Sequence, residues 1–393
     1  MPNVYLDHNA TTPLLPEVRE AMQVYLGDQW FNPSSGHRGA KLVRKAIEES
    51  RAQVARLLGA TPEEIIFTSG GTESINTALR MVDQKGARIL TTAAEHSAAY
   101  ETLQELAKER GIEVVSIGVG ADGLLDLEEL ARELKVEGNY LLNILWANNE
   151  TGVVQPLAEI IDMAHQAGVP VHVDAVQAAG KMPLSPAIAA ADYVSISGHK
   201  INGPKGIGAL MVRKARRFSS LISGGGQEQK RRGGTENVPG IIGLGKACEL
   251  IVDGAGDEGL SSVAAKRDRL EKGLTDQLEC RVNGNEAPRL ANTSSITFPG
   301  CHAEGLLLLL EDAGLICSTG SACSTGKLQP SRVLTAMGLS RADAKSTLRF
   351  SLSQLTTDQE IDHALEVIPK AVAKLKSVQS PIAGPVVVYR PKS

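Results

Sequence analysis

Short apolar runs alternate with segments of helical periodicity from about residue 16 to residue 250. Apolar runs bounded by turn residues predict buried strands, and apolar positions three and four apart predict helices with one buried face. The predicted strands span residues 64–68, 88–92, 112–117, 140–147, 169–174 and 191–197, and the predicted helices span residues 72–84, 98–110 and 157–167. This alternation predicts an α/β fold with a large, mostly parallel sheet covered by helices on both faces.

The pattern changes after about residue 250. A long polar helix is predicted at residues 261–278, and short strands at 294–298 and 347–352 and helices at 303–313 and 358–375 follow. Prolines in the tail from residue 377 onward predict irregular structure there. We therefore predict a large α/β domain at residues 13–250 and a small α+β domain formed by residues 1–12 and 251–393.

Composition narrows the class of protein. The chain has 393 residues, 42% of them hydrophobic and 22% charged, which is typical of a globular protein. Its net charge of −4 and scattered basic residues argue against binding to nucleic acid or to an anionic membrane. The apolar runs are too short to span a bilayer. The five cysteines form no metal-binding spacing, and the start of the chain has no signal-peptide pattern, so we expect a cytoplasmic protein without a metal.

One lysine occupies an unusual position. Ser197-Gly198-His199-Lys200 ends a predicted strand and leads into a glycine-rich turn, and Asp174 ends the strand before it. Pyridoxal phosphate (PLP) needs two such groups, a lysine amine for its aldehyde and an acid for its pyridine nitrogen. Either residue alone is more often a turn or surface residue. The order and spacing of the pair favour a cofactor site, since ligands bind at the carboxyl ends of parallel strands.

Several further polar residues follow predicted strands. The glycines and the helix start at Thr68–Ser74 predict a phosphate cradle that includes Gly71 and Thr72, although a threonine before a helix is often only a cap. Ser197 and His199 would add donors to the same phosphate. His96 would stack on a flat ring and move protons, or simply cap a helix.

Other candidate residues would contact the substrate or the PLP ring. Asn149 would orient a ligand or form a turn, and Gln177 would reach the phenolic oxygen of the ring. Arg349 lies inside a strand-like run, where it would bind a carboxylate in bidentate fashion or form an internal salt bridge. Cys323 is the central thiol of a loop of small residues, which is typical of an accessible nucleophile. Cys317 ends an apolar run, which predicts a core residue.

These motifs resemble the cysteine desulfurases of the NifS/IscS type, in the class V group of PLP-dependent aminotransferase-fold enzymes. The matching segments are YLDHNATTP at 5–13, NPSSGH at 32–37, GTES at 71–74, EH at 95–96, NNETG at 148–152, HVDAVQ at 172–177, SGHK at 197–200, the glycine-rich stretch 224–237, GSAC at 320–323 and RFS at 349–351. They occur in the order found in the family. The resemblance implies the fold type I architecture of aspartate aminotransferase.

The resemblance also implies residue roles. Lys200 would carry PLP, Asp174 would bind its pyridine nitrogen, Gln177 its ring hydroxyl and His96 its face. The phosphate would be bound by Gly71, Thr72, Ser197 and His199, and by Thr235 of the neighbouring subunit, which implies a homodimer. Asn149 would contact both cofactor and substrate. Arg349 and Asn32 would bind the substrate carboxylate with it. Cys323 would accept the sulfur.

The implied reaction converts L-cysteine to L-alanine and leaves a persulfide on Cys323. That sulfur would pass to an acceptor or scaffold protein for iron–sulfur cluster assembly or another thiolation. One alternative is a selenocysteine lyase or another class V PLP enzyme acting on a small amino acid, which would not need the thiol. A second is a catalytically silent scaffold, which the presence of Lys200, Asp174 and Cys323 argues against.

Overall fold

A computed structural model describes residues 4–184, 186–254, 257–320 and 330–379. The strands are β1 (Val4–Tyr5), β2 (Ile65–Thr68), β3 (Arg88–Thr92), β4 (Glu113–Ile117), β5 (Asn139–Leu145), β6 (Val171–Asp174), β7 (Tyr193–Ser197), β8 (Gly208–Val212), β9 (Arg281–Val282), β10 (Thr293–Thr297), β11 (Leu315–Ile316) and β12 (Thr347–Ser351). The helices are α1 (Pro16–Leu26), α2 (Arg38–Leu58), α3 (Gly71–Leu79), α4 (Ser97–Arg110), α5 (Leu127–Glu133), α6 (Leu157–Gln166), α7 (Pro186–Ala190), α8 (Val238–Asp253), α9 (Asp257–Gln277), α10 (Ala303–Asp312), α11 (Arg332–Ala336), α12 (Arg341–Ala344) and α13 (Asp358–Gln379). Within the described ranges, no helix is both long and apolar enough to cross a membrane.

The large sheet has seven strands in the order β2-β8-β7-β6-β5-β3-β4. Its strands run parallel except β8, which is antiparallel to both β2 and β7. Apolar side chains of α2, α6 and α8 pack on one face and those of α3 and α4 on the other. The predicted α/β fold with a mostly parallel sheet is therefore confirmed, and Thr68, Asp174 and Ser197 end their strands at one edge.

The reversed strand β8 was not predicted, because the glycines before it were interpreted only as a turn. Gly208 pairs with Thr68 on one side and with Ser197 on the other. A Cβ atom at Gly208 would lie 2.6 Å from the Ile196 carbonyl oxygen and 2.8 Å from the Gly70 backbone. The glycine therefore permits the close approach of the two strand ends that flank the site.

The predicted helix at residues 72–84 is shorter in the structure, since α3 ends at Leu79. The amides of Met81 and Val82 bond to carbonyls three residues earlier, which tightens the chain into turns. Met81 and Val82 are buried in the core even so. Their apolar side chains continue the helical periodicity of the sequence, which is why the predicted helix was too long. Tertiary packing places both residues in a turn instead.

The second apolar cluster lies outside the large sheet. It joins β1, α10, α13 and the antiparallel sheet β12-β10-β9, and β1 pairs in parallel with β11. The pairing brings the start of the chain together with elements beyond residue 290. This supports the division into residues 13–250 and residues 1–12 with 251–393, which stays a prediction.

A buried ion pair fixes the glycine-rich stretch 224–237. Glu228, Gln229 and Lys230 have φ values of +48°, +58° and +66°, which are costly for residues other than glycine. Both guanidinium Nη atoms of Arg51 donate to the Glu228 carboxylate, at 2.8 and 2.7 Å. The Phe67 amide donates to the same carboxylate at 2.9 Å. The ion pair thus holds the strained stretch against β2.

Replacing Arg51 by methionine tests this anchor. We expect Arg51→Met to lower the free energy of unfolding by about 3–5 kcal/mol, because Glu228 would remain buried without its partner. Arg56→Met is the matched control on the same helix, since Arg56 and Asp253 form an exposed pair, and it should cost less than about 1 kcal/mol. Urea unfolding at one protein concentration gives both values. Equal losses in the two variants would contradict the anchoring role.

Candidate active site

Lys200 lies at the carboxyl edge of the large sheet. It ends a short 3₁₀ turn, Gly198–Lys200, that directly follows β7. Its Nζ donates to the backbone carbonyls of Asn9 and Ala10, each at 2.7 Å. The amine is therefore held at the end of a rigid strand, where a ligand at this edge of the sheet can meet it.

Asp174 is the buried acid of the site. It ends β6, and its Oδ1 accepts a hydrogen bond from the Val176 amide at 3.0 Å. Burial raises the pKa of Asp174 to about 6, while that hydrogen bond and the charge of Lys200 act in the opposite direction. A buried acid that is costly to ionise fits a protonated pyridine nitrogen, because the cation would offset the cost of the negative charge.

A second carboxyl group, Glu95, lies beside Asp174. Burial and the Asp174 charge raise the pKa of Glu95 to about 8. Its Oε1 accepts from the Thr92 hydroxyl and the Leu145 amide, both at 3.0 Å, while Oε2 is buried with no partner among the described residues. Glu95 is therefore protonated at neutral pH, and the negative charge of the pair belongs to Asp174. Glu95 belongs to the EH motif at 95–96, but no role for it was predicted from the sequence.

His96 caps helix α4, as the simpler interpretation of the sequence expected. Its Nδ1 accepts a hydrogen bond from the Ala98 amide at 3.1 Å. Burial and the charges of Lys200 and Arg332 lower the pKa of His96 to about 4. The ring is thus neutral at pH 7 with its proton on Nε2, and it is close enough to Lys200 to feel its charge. Stacking on a cofactor ring stays a prediction.

The start of α3 forms an open cradle. Its N-cap, Gly70, provides no side-chain hydrogen bond to the first helical amides. A Cβ atom at Gly71 would lie 2.8 Å from Cγ2 of Val176, so a larger residue would fill the space. Thr72 is exposed in the first turn and Ser197 is buried beside Gly71. Free helix amides and nearby hydroxyl groups fit a phosphate group.

His199 lies in the same turn as Lys200. Its Nδ1 is 3.2 Å from the Thr11 hydroxyl, and its backbone carbonyl accepts from the Thr12 amide and hydroxyl. Burial and the nearby Lys200 lower the pKa of His199 to about 4. Its neutral ring has one N–H, which is available to the cradle in the tautomer whose Nδ1 accepts from the Thr11 hydroxyl. Its contact with a phosphate stays a prediction.

Asn9 joins residues of β10 and β12 to residues at the edge of the large sheet. No role for Asn9 was predicted from the sequence. Its backbone amide donates to the Ser351 hydroxyl at 2.9 Å, and its carbonyl accepts from Gln177 Nε2 at 3.0 Å. Its side-chain Nδ2 donates to the Asn149 carbonyl and to the Thr293 hydroxyl, at 3.2 and 2.8 Å. The opening motif of the sequence was the signal that could have identified it.

Arg349 is buried and forms the internal salt bridge that was its alternative role. Its Nη2 donates to Asp7 at 2.7 Å and its Nη1 to the Asn149 carbonyl at 2.9 Å. Its Nε is buried with no partner among the described residues. The structure therefore brings Arg349 and Asn149 together, and binding of a substrate carboxylate stays a prediction.

Two predicted residues, Asn32 and Thr235, lie at the surface. Asn32 is exposed, and its Oδ1 accepts from the Ser34 amide at 2.8 Å in a local turn. Thr235 is also exposed. Cys323 lies outside the described residues. Just after that segment, the Ser331 hydroxyl donates to the buried carboxyl of Glu150.

The arrangement as a whole fits PLP. Lys200 offers an amine for the aldehyde, Asp174 an acid for the pyridine nitrogen, and the start of α3 a cradle for the phosphate. Each group comes from the end of a different strand of one sheet, which fixes their spacing.

Comparisons with known proteins give a consistent result. A family model for class-V aminotransferases matches residues 4–364. A cysteine desulfurase from Trichormus azollae is 46% identical over 380 residues, which cover 95% of this chain and 94% of that protein. A solved NifS-like protein superposes with a TM-score of 0.88 at 36% identity, over 95% of this chain and 100% of the other. A structure of SspA in complex with cysteine superposes with a TM-score of 0.79 at 33% identity, over 90% of this chain and 99% of the other. The expected fold type I architecture is confirmed.

The protonated state of Glu95 has a measurable consequence. The unfolded chain loses this proton near pH 4.5 and the folded protein near pH 8. Between these values the folded protein binds more protons, so its free energy of unfolding falls as pH rises. We expect the stability of Glu95→Gln relative to the wild type to increase from pH 5 to 8, by up to about 1.4 kcal/mol per pH unit. Urea unfolding across this range tests it, and a constant difference would show that Glu95 is ionised.

Proposed function

Because this chain belongs to the class V aminotransferase family and is a PLP-dependent cysteine desulfurase, we propose that Lys200, Asp174 and Cys323 carry out its reaction with L-cysteine. The observation that carries the Lys200 and Asp174 assignments is that the Lys200 amine and the buried Asp174 acid converge beside the open start of α3, while the Cys323 assignment comes from the sequence motif. An amine, an acid and a phosphate cradle in that arrangement match the three ends of PLP.

The residues around Lys200 have distinct tasks in this proposal. Bound PLP supplies a ring that withdraws electrons from the substrate Cα. Asp174 keeps the ring nitrogen protonated, and the neutral Glu95 adds no second negative charge. Gln177 donates to the ring hydroxyl, His96 stacks on the ring, and Gly71, Thr72, Ser197 and His199 bind the phosphate. Lys200 would hold the aldehyde of PLP, and its amine would move the Cα proton of the substrate.

The substrate carboxylate binds at Arg349 in this proposal. The Nε of Arg349, which has no partner in the described part of the chain, offers a charge-assisted hydrogen bond. Asp7 and the Asn149 carbonyl hold the other side of the guanidinium. The Asn149 side chain contacts both cofactor and substrate. Asn32 completes the carboxylate site.

Sulfur then moves to Cys323. The Cys323 thiolate attacks the substrate sulfur, a new S–S bond forms and the substrate Cβ–S bond breaks. The carbon keeps the electron pair and takes a proton, which gives L-alanine and a persulfide without an external oxidant. His96, with its proton on Nε2, is our candidate for relaying protons. The persulfide sulfur passes to an acceptor or scaffold protein, for iron–sulfur cluster assembly or another thiolation.

A cysteine comparison tests the acceptor role. We expect Cys323→Ala to retain PLP but to lose nearly all sulfide release from L-cysteine in the presence of a reductant, because no thiolate remains to take the sulfur. Cys317→Ala is the matched control, since burial raises the pKa of the Cys317 thiol and keeps it unreactive. That variant should retain activity and form the persulfide seen by mass spectrometry. Equal activity in both variants would exclude Cys323 as the acceptor and favour a lyase that needs no thiol.

We also propose that the protein is a homodimer whose sites include Thr235 of the partner. Exposed apolar side chains lie at the end of α1 and in the loop that follows it, with Leu26 68% and Trp30 73% exposed. Trp30 stacks on Phe31. Large exposed apolar side chains of this kind are typical of a protein–protein interface.

Charged substitutions test the dimer. We expect the double variant Leu26→Glu and Trp30→Glu to be monomeric by light scattering and to bind PLP more weakly, because two buried carboxylates oppose association and the phosphate loses Thr235. Val378→Glu is the control, since Val378 is 75% exposed on α13, and it should remain dimeric. A double variant that stays dimeric would place the interface elsewhere.

A further inference from the structure

A second lysine, Lys181, is buried beside Lys200. It follows Gln177 by four residues and is only 9% exposed. Its Nζ donates to Asn9 Oδ1 at 3.0 Å and to Gln177 Oε1. Burying an amine costs free energy, so we expect Lys181 and its two hydrogen bonds to have a function. The proposed function does not use Lys181.

The two bonds fix the amide of Gln177. Its oxygen accepts from Lys181, and its Nε2 donates to the Asn9 carbonyl at 3.0 Å. Rotating the amide by 180° would place Nε2 against the Lys181 amine and Oε1 against the Asn9 carbonyl, which are two repulsive contacts. The second Nε2 hydrogen therefore stays available as a donor.

The same amine orients Asn9. The side-chain oxygen of Asn9 accepts from Lys181 and from Asn292 Nδ2, at 3.0 and 3.1 Å, which leaves its Nδ2 to donate to the Asn149 carbonyl and the Thr293 hydroxyl. The Asn9 carbonyl in turn accepts from Lys200 Nζ. One amine thus constrains both Asn9, which contacts Lys200, and Gln177, which is proposed to contact the cofactor.

We propose that Lys181 is a positioning residue of the reaction, which acts through Asn9 and Gln177 on the placement and charge of the Lys200 nitrogen. This inference rests on the proposed function, because it assigns Lys200 and Gln177 their roles toward PLP. Lys181 thereby gains a role in the reaction, which the proposed function does not give it.

The charges that act on the Lys181 amine among the described residues are those of Lys200 and Arg349, and both are positive. Burial, and then the charges of Lys200 and Arg349, lower the pKa of Lys181 well below its ordinary value. Conversely, the Lys181 charge helps to lower the pKa of His8 and of His199. Positive charge at position 181 therefore opposes positive charge on the Lys200 nitrogen.

A cavity beside Lys181 leaves room for substitution. It has a volume of about 220 Å³, and Lys181 and Lys200 line it together with apolar side chains such as Leu250 and Val263. Methionine matches the lysine stem in length and lacks both the donor and the charge, while arginine keeps the donor and, unlike the buried lysine, stays charged across the pH range. The pair of variants Lys181→Met and Lys181→Arg separates these properties.

The test titrates the visible absorbance of the PLP-loaded variants with pH. We expect Lys181→Met to raise the pH midpoint of the absorbance change, and Lys181→Arg to lower it by about one pH unit, because arginine stays charged. The methionine variant should also lose about tenfold to a hundredfold in kcat with little change in KM, since the Gln177 amide is no longer fixed. Lys181→Arg should recover part of this loss.

Lys205→Met is the control, because Lys205 is exposed and also contributes to the field at His199. Its midpoint and kcat should match those of the wild type. We expect the pH midpoint to rise from the arginine variant to the wild type to the methionine variant, and any other order would overturn the inference. If the methionine variant does not fold, the comparison of the arginine variant with the wild type decides. Absence of PLP on Lys200 in the wild type would instead contradict the proposed function.

Discussion

The site depends on one buried residue, Asn9, whose hydrogen-bonding groups all have partners from other parts of the chain. Its amide and side chain bond to Ser351, Thr293 and Asn292, while its carbonyl and side chain bond to Gln177, Lys181, Lys200 and Asn149. Ser351 and Thr293 lie in β12 and β10, Asn292 directly precedes β10, and the other four lie along the edge of the large sheet. Unpaired buried polar groups are costly, so this network permits one relative placement of the two parts.

Burial then sets the charges. Asp174 and Glu95 share a dry environment, and two ionised carboxylates there would repel each other, so Glu95 holds its proton. His96 and His199 are neutral for a related reason, since both are buried near Lys200. The site therefore combines one amine, one acid whose charge a cofactor can stabilise, and neutral rings that can donate hydrogen bonds. That combination suits PLP chemistry.

Rigidity comes from outside the site. Gly208 lets β8 pass closely between the ends of β2 and β7, and the Arg51–Glu228 pair holds the strained glycine-rich stretch against β2. The start of α3 and Lys200 are thus attached to β2 and β7, the two strands that flank β8 in a single sheet. A cofactor that binds both ends of this arrangement meets groups already in position, which reduces the entropy lost on binding.

The sequence alone determined the alternation of strands and helices, and with it the parallel sheet and the common edge that carries Asp174 and Lys200, because these follow from local periodicity. It also identified the family, because its motifs are specific in residue type and order. It did not predict β8, the end of α3 at Leu79 or the roles of Asn9, Glu95 and Lys181. Those depend on contacts between residues far apart in the chain: Asn9 lies about 170 residues from Gln177 and Lys181, and the proton on Glu95 depends on burial and on Asp174. Only the tertiary structure creates that burial and those neighbours, since pairing energies and pKa values arise from three-dimensional surroundings and not from residue type.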